Sequence, residues 1–304
     1  MINIVLSRVR LQPLDIVEAL ETYRFDILTP LTCELILPIM PTIEEVTQVA
    51  KAHAEISELQ LADQFVLILS TFVAYTERVK SLIFYYSYEE DVAIVLKEIN
   101  RFYKVFDFIK GSDKLRKWFE IILAVGNFMN GGIIRGGAFA FRLDTIAKLS
   151  EIKSKDNKMN LMDYIVEYIM ETLHQKDMFD ILKMLRKFDK LQYQSIVETV
   201  EEMTKRFEDV KQLKKIIEDK KERLLPEDKS EAFLSKFYSK AEMMIKEINT
   251  KVEMLNVNYK EVLALLGEDP KYSIDVFIIV FKKFKDDIKN ALDTYKKTKE
   301  KIHS

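Results

Sequence analysis

Five of the seven glycines in this 304-residue chain fall within twelve residues: Gly126, Gly131, Gly132, Gly136 and Gly137. Glycine inside a helix is less favourable than alanine by about 1 kcal/mol. A chain that nearly excludes it elsewhere and concentrates it here is expected to be helical on both sides of one shaped loop. The prolines agree with this. Pro13, Pro30, Pro38 and Pro41 crowd the first 41 residues, and only Pro226 and Pro270 follow. Because proline starts or breaks helices, short helices are expected first and long ones after them.

Hydrophobic spacing predicts several amphipathic helices between Ala62 and Leu123. In the last of them Leu115, Trp118, Phe119, Ile122 and Leu123 keep the i, i+3, i+4, i+7, i+8 set. Met162, Ile165, Val166, Ile169, Met170 and Leu173 repeat it beyond the glycines. From about residue 196 the steps become four and three: Ile196, Val200, Met203, Phe207, Val210, Lys214 and Ile217. Similar stepping joins Phe237, Ala241, Met244 and Ile248, then Leu255, Tyr259, Val262 and Leu266, then Phe277, Phe281, Phe284, Ile288 and Tyr295. That is a coiled-coil register. The expected fold is all-α, an elongated helical bundle.

Composition removes several classes of function. With 47 basic and 49 acidic residues the chain has no charge excess to attract nucleic acid. The single cysteine, Cys33, forms no internal disulfide or thiolate cluster and fits a reducing compartment. His53, His174 and His303 show no metal-ligand spacing, and the longest apolar runs, such as Val276 to Phe281, are too short for membrane insertion. No phosphate loop, nucleophile elbow or HExxH pattern occurs, so no enzyme, cofactor or metal is expected.

The glycine window opens Gly126-Asn127-Phe128-Met129-Asn130 and continues through Gly137-Ala138-Phe139-Ala140-Phe141-Arg142-Leu143 to Leu149-Ser150-Glu151-Ile152-Lys153-Ser154-Lys155-Asp156-Asn157-Lys158-Met159-Asn160-Leu161. This ordered string resembles the signature of the formin homology 2 domain. Asn3 to Arg10, Leu37 to Glu45 and Leu61 to Phe65 are similar to that family too, so the resemblance runs along the whole chain in order.

The resemblance implies a domain that binds the barbed end of actin filaments and, as a homodimer, nucleates and tracks that end. It also implies knob, post and three-helix coiled-coil regions, with a lasso of one subunit wrapping the post of the other. On that template residues 1–100 form a knob-like region, 101–175 a post-like region with the glycine loop, and 176–304 coiled-coil helices ending in a basic helix. All belong to one continuous domain at work in the cytoplasm on the actin cytoskeleton. Family lassos carry tryptophans ahead of the knob, whereas the only tryptophan here is Trp118. The proline-rich segment through which profilin is recruited is likewise not seen. The sequence therefore reads as a shortened piece, monomeric and weakly active by itself.

Candidate contacts come from two directions. If residues 2 to 11 are helical, Ile2, Val5, Leu6 and Val9 share the inward stripe while Ile4 faces the other side beside Arg8. A lone exposed isoleucine needs no explanation, but the resemblance matches Ile4 to the knob isoleucine that enters an apolar cleft on actin, with Arg8 adjacent. It places an actin-contacting lysine at Lys153, with Lys155 and Lys158 near enough to take the role. The residue-level alternative is a solvated loop leading into a helix capped by Asn157 or Asn160. Arg135 has only a local charge argument.

The family implies lasso docking and dimerisation on Gly126, Asn127, Phe128, Met129, Asn130, Phe139 and Phe141. The alternative is a loop whose phenylalanines tuck into the core. The last 34 residues hold nine lysines against five acids, either a solvated face or an aid to attachment on acidic actin. A generic coiled-coil scaffold is the rival reading, and it leaves the glycine window unexplained. A membrane-shaping module would need a basic face that a near-neutral chain does not advertise.

Overall fold

The computed structural model describes residues 1–51, 59–131 and 137–303. Among them the chain is helical with no extended strand. The helices are α1 Ile2–Val9, α2 Pro13–Thr22, α3 Pro30–Ile36, α4 Ile43–Ala50, α5 Leu61–Ser70, α6 Tyr75–Gly111, α7 Asp113–Met129, α8 Leu143–Ile146, α9 Leu161–Glu167, α10 Ile181–Leu185, α11 Tyr193–Asp219, α12 Ser230–Leu265 and α13 Ile274–His303. His53 and Arg135, with Gly132 and Gly136, lie outside the described residues.

Contacts group the chain into two units, each drawn from two stretches of sequence. The first joins Met1–Val95 to Val197–Asn249, and the second joins Leu96–Ile196 to Thr250–Ser304. The borders fall inside α6, α11 and α12.

In the first unit the early prolines start helices. Pro13 and Pro30 occupy first-turn positions of α2 and α3, where a missing N–H costs nothing. Thr29 caps α3 by accepting from Thr32 N at 3.2 Å. Thr42 and Glu45 cap α4 reciprocally, at 2.8 and 3.2 Å. α2 and α4 pack on α5, and α1 packs on α3 and α5. The parts of α6, α11 and α12 in this unit form a three-helix bundle. Phe84 meets Phe237 at 5.8 Å, Phe207 meets Tyr238 at 5.3 Å, and Arg206 donates to Ser87 at 2.9 Å.

The second unit is organised around α13, which lies against α8, α9 and α10. Trp118 is fully buried, edge-on to Phe179 and Phe284 at 5.7 and 5.8 Å, and its indole N–H donates to Met178 O at 3.1 Å. Phe188 stacks on Phe281 at 4.7 Å.

Two expectations need correcting. The strict four-three register puts Lys214 and Met244 at core positions, yet Leu213 and Ile245 are the buried residues there. Lys214 instead stands over the Tyr238 ring at 4.3 Å. A helix of 3.6 residues per turn drifts against a 3.5-residue repeat, and here the drift is absorbed by changing the inward residue. Short helices also recur between residues 143 and 190, where there is no proline. Left-handed backbone at Asn157 and His174 interrupts the helical path there.

Candidate functional site

On α1, Leu6 is buried, Ile2, Val5 and Val9 are half-buried, and Ile4 is 73% exposed. Arg8, one turn on, is also exposed. The helix ends where Arg10 turns left-handed and its N–H bonds Leu6 O. An apolar side chain and a cation thus share the outer face, about 5–6 Å apart at their Cβ atoms for an i, i+4 pair.

In the second unit the stretch after Ser150 is a closed hairpin turn. Lys153 and Asn160 pair as an antiparallel bridge, with Leu161 N donating to Ile152 O at 2.8 Å and Ser154 N to Met159 O at 2.9 Å. Asn157 takes the left-handed turn position, and Asn160 is the cap of α9, accepting from Asp163 N at 3.0 Å. Asp156 accepts from Ser154 Oγ at 2.6 Å and from Lys158 N at 3.2 Å, and these bonds hold its carboxyl below the ordinary carboxylate pKa. Lys153, Lys155 and Lys158 are all exposed, with Lys158 within 3.8 Å of Asp156.

Between this turn and α7 lies an apolar groove of about 780 Å³. Lys153, Phe128 and Met129 line it together with Ile121, Val125 and Tyr164. Phe128 is 86% exposed, and Tyr164 stacks with Tyr168 at 6.4 Å. The sequence reading missed Ile121, Val125, Tyr164 and Tyr168. The first two were legible, because Lys117, Ile121, Ala124, Val125 and Phe128 follow one face of α7.

The remaining window residues separate by role. Gly126 lies inside α7, and a Cβ there would meet nothing within 4 Å among the described residues, so none of them demands the glycine. Gly131 is different, since a Cβ would come 3.1 Å from Phe128 O. Asn127 ties down the far end of the loop. Its Oδ1 accepts from Gly137 N at 3.1 Å and Ala138 N at 2.8 Å, and its Nδ2 donates to Ala138 O at 2.9 Å. Asn130 closes α7 by donating from Nδ2 to Gly126 O at 2.9 Å. Phe139 is fully exposed, while Phe141 packs edge-on against Phe119 at 5.7 Å. Of the loop phenylalanines described, one tucks inward and two present their rings.

The loop's return is anchored from the C-terminal side. Leu143 N donates to Glu268 Oε1 at 2.5 Å, Arg142 Nη1 to Glu268 Oε2 at 3.3 Å, and the Tyr272 hydroxyl to Asp144 at 2.5 Å. The return of the glycine loop is therefore fastened to helical scaffolding.

Among the described residues no group of His, Cys, Asp and Glu is placed to hold a metal ion, and no helix is long and apolar enough to cross a membrane. The site thus combines presented apolar side chains, exposed lysines and an open groove on a helical frame. The chain matches the Formin Homology 2 Domain family model over residues 1–289 and belongs to that family. It is 28% identical to Formin-A of Dictyostelium discoideum over 258 residues, covering 84% of this chain and 21% of that protein. It is 29% identical to Formin-like protein 1 of Mus musculus over 281 residues, 91% of this chain and 25% of that protein. With Formin of Gallus gallus the identity is 27% over 238 residues, 75% and 19% of the two chains. The chain thus spans about a quarter or less of the relatives it matches.

Proposed function

We infer that this chain is an actin-binding, non-catalytic domain that engages filament barbed ends and supports nucleation and processive elongation as a homodimer. Ile4 and Arg8 form the knob contact with actin. Lys153 and Lys155 form the second contact. Family membership over residues 1–289, together with the 73% exposure of Ile4 on a helix whose Leu6 is buried, carries this reading. The regions 1–100, 101–175 and 176–304 act as knob, post and coiled coil. The α7 groove, with Phe128, Met129, Phe139 and the bare helix surface at Gly126, receives the lasso of a second subunit, while Asn127, Asn130 and Phe141 hold its shape. Work at barbed ends places the protein in the cytoplasm, and profilin enters through a proline-rich segment outside these residues.

Lysines of α13 add long-range attraction to an acidic filament. Lys283 is paired with Glu151 at 2.7 Å, Lys285 with Asp189 and Lys299 with Glu171 at 2.9 Å, so part of that charge is already engaged within the chain. It weakens as salt rises.

The test is actin assembly in the presence of this chain joined to a lasso segment from a formin relative, comparing wild type with Ile4→Ala and Lys153→Asp. Loss of barbed-end activity in both variants, each still folded, is the expected result. Unchanged assembly removes the two contacts from the proposal, and a generic helical scaffold then becomes the better account.

A further inference from the structure

The first unit carries a concavity of about 810 Å³ that none of the residues above accounts for. Aromatic rings from three stretches of chain build it. Tyr23 stacks on Phe233 at 4.4 Å, Tyr85 meets Phe233 at 5.5 Å and Phe237 at 5.3 Å, and Phe25 lies 5.5 Å from Tyr85. Tyr23, Phe233 and Phe237 are buried and form the floor, whereas Phe25 and Tyr85 remain 44% and 36% exposed. Two large rings stand open to solvent at the mouth of a hollow whose base is already packed.

The wall contributed by the start of α12 is basic. Lys229, Ala232, Phe233, Lys236, Phe237 and Lys240 all line the hollow. Lys229 immediately precedes the helix, and Ala232, Phe233, Lys236, Phe237 and Lys240 share one helical face beyond it. At 1.5 Å per residue the lysine row extends about 16 Å alongside the aromatic trough. Glu89 is the one acid on the lining. It is already engaged by Lys240 at 2.5 Å and by the Tyr88 hydroxyl at 2.9 Å. Lys229 and Lys236 have no ion pair within 4 Å among the described residues. Glu231, on the same helix, is bound by Lys221 at 2.6 Å. Three lysines against one carboxylate leave a lining of net charge +2.

We propose that this groove docks an acidic peptide segment of a partner protein, seating an aromatic or large aliphatic side chain between Phe25 and Tyr85 while its carboxylates pair with Lys229 and Lys236. An aromatic pocket rimmed by unpaired charge is the arrangement from which interface anchors are made. The linear row of ammonium groups suits a chain of carboxylates rather than a single compact anion. The alanine at 232 leaves room for the peptide backbone between the lysines. Nothing in this proposal uses Ile4, Lys153 or the α7 groove.

Fluorescence anisotropy of three labelled twelve-residue peptides on the intact chain tests it. One repeats Glu-Asp-Phe-Leu, one repeats Lys-Arg-Phe-Leu, and one repeats Glu-Asp-Ser-Gly. Binding of the first alone, weakened by salt and reduced at least about tenfold by Lys229→Glu/Lys236→Glu and by Tyr85→Ala, supports the proposal. The lysine pair is exposed, so its reversal leaves thermal unfolding unchanged and keeps the comparison clean. Ile4→Ala leaves the binding at wild-type strength. Equal binding of the basic peptide overturns the charge argument, and equal binding of the Ser-Gly peptide overturns the aromatic one. Absence of binding by the first peptide, or binding indifferent to both variants, overturns the whole.

Discussion

Arg78 and Asp228, 150 residues apart in sequence, form a fully enclosed ion pair, with side chains 0% and 2% exposed and Nη2 to Oδ2 at 2.5 Å. The guanidinium also donates to Val73 O at 2.9 Å and Leu20 O at 3.3 Å and lies 4.5 Å from the Phe72 ring centre. Asp228 accepts from Ser230 N at 2.8 Å and from its hydroxyl, so one carboxylate caps α12 and fastens it to α2 and α6.

Removing one member strands a buried charge, which costs about 3–5 kcal/mol, whereas replacing both with apolar residues costs far less. Asp228→Leu or Arg78→Met alone is therefore expected to lower the urea midpoint steeply. The pair Arg78→Met/Asp228→Leu is expected to recover much of that loss. Chemical unfolding of the four proteins of this cycle measures the coupling, expected at about 2 kcal/mol or more.

Glu21 sits at the edge of this cluster, 8% exposed, with one carboxylate oxygen unbonded. Burial first, then the charges of Asp228 and Glu227, raise its pKa above the ordinary glutamate value of 4.5. A carboxyl with a raised folded pKa favours the native state when protonated, so its contribution is complete below pH 4.5 and is lost as pH rises through the folded value. Glu21→Gln is expected to raise the melting temperature at pH 7 and to give no gain near pH 4. Melting curves across that range check the sign.

Ile4 and Leu6 are two residues apart on α1 and face opposite ways, 73% and 2% exposed. Ile4→Ala is expected to leave stability within about 0.5 kcal/mol of wild type. Leu6→Ala is expected to cost about 2–5 kcal/mol through the cavity it opens. Unfolding curves separate the two, and only the first variant then reports cleanly on actin.

Gly126 lies in α7 with open space around a Cβ. Gly126→Ala is expected to stabilise the helix by about 0.5–1 kcal/mol. If the lasso crosses this bare surface, the same substitution weakens dimerisation, seen by sedimentation of the lasso-joined chain. Greater stability with unchanged association would place the lasso elsewhere.

Asn127 makes three hydrogen bonds across the glycine loop. Asn127→Ala is expected to free the amides of Gly137 and Ala138, whose hydrogen exchange accelerates about tenfold or more for a loss of 1.4 kcal/mol or above. Exchange of α7 core amides around Trp118 is expected to be unaffected, because those bonds are intrahelical.

Much of this was readable residue by residue. Helical periodicity, the proline starts of α2 and α3, a cap at Asn157 or Asn160 and the outward turn of Ile4 depend on neighbours within about four positions, and sequence carries such information directly. The string from Gly126 to Leu161 was enough to indicate the family. What tertiary packing decided involves partners far along the chain. It chose Leu213 over Lys214 for the interior, brought Asp228 to Arg78, turned Phe141 onto Phe119 while leaving Phe128 outside, and gathered Phe25, Tyr85 and Phe233 around one hollow. Each of those outcomes turns on which helix faces which. Many arrangements of amphipathic helices satisfy the same local pattern, and only the packing of real side-chain volumes and the pairing of buried charge select among them.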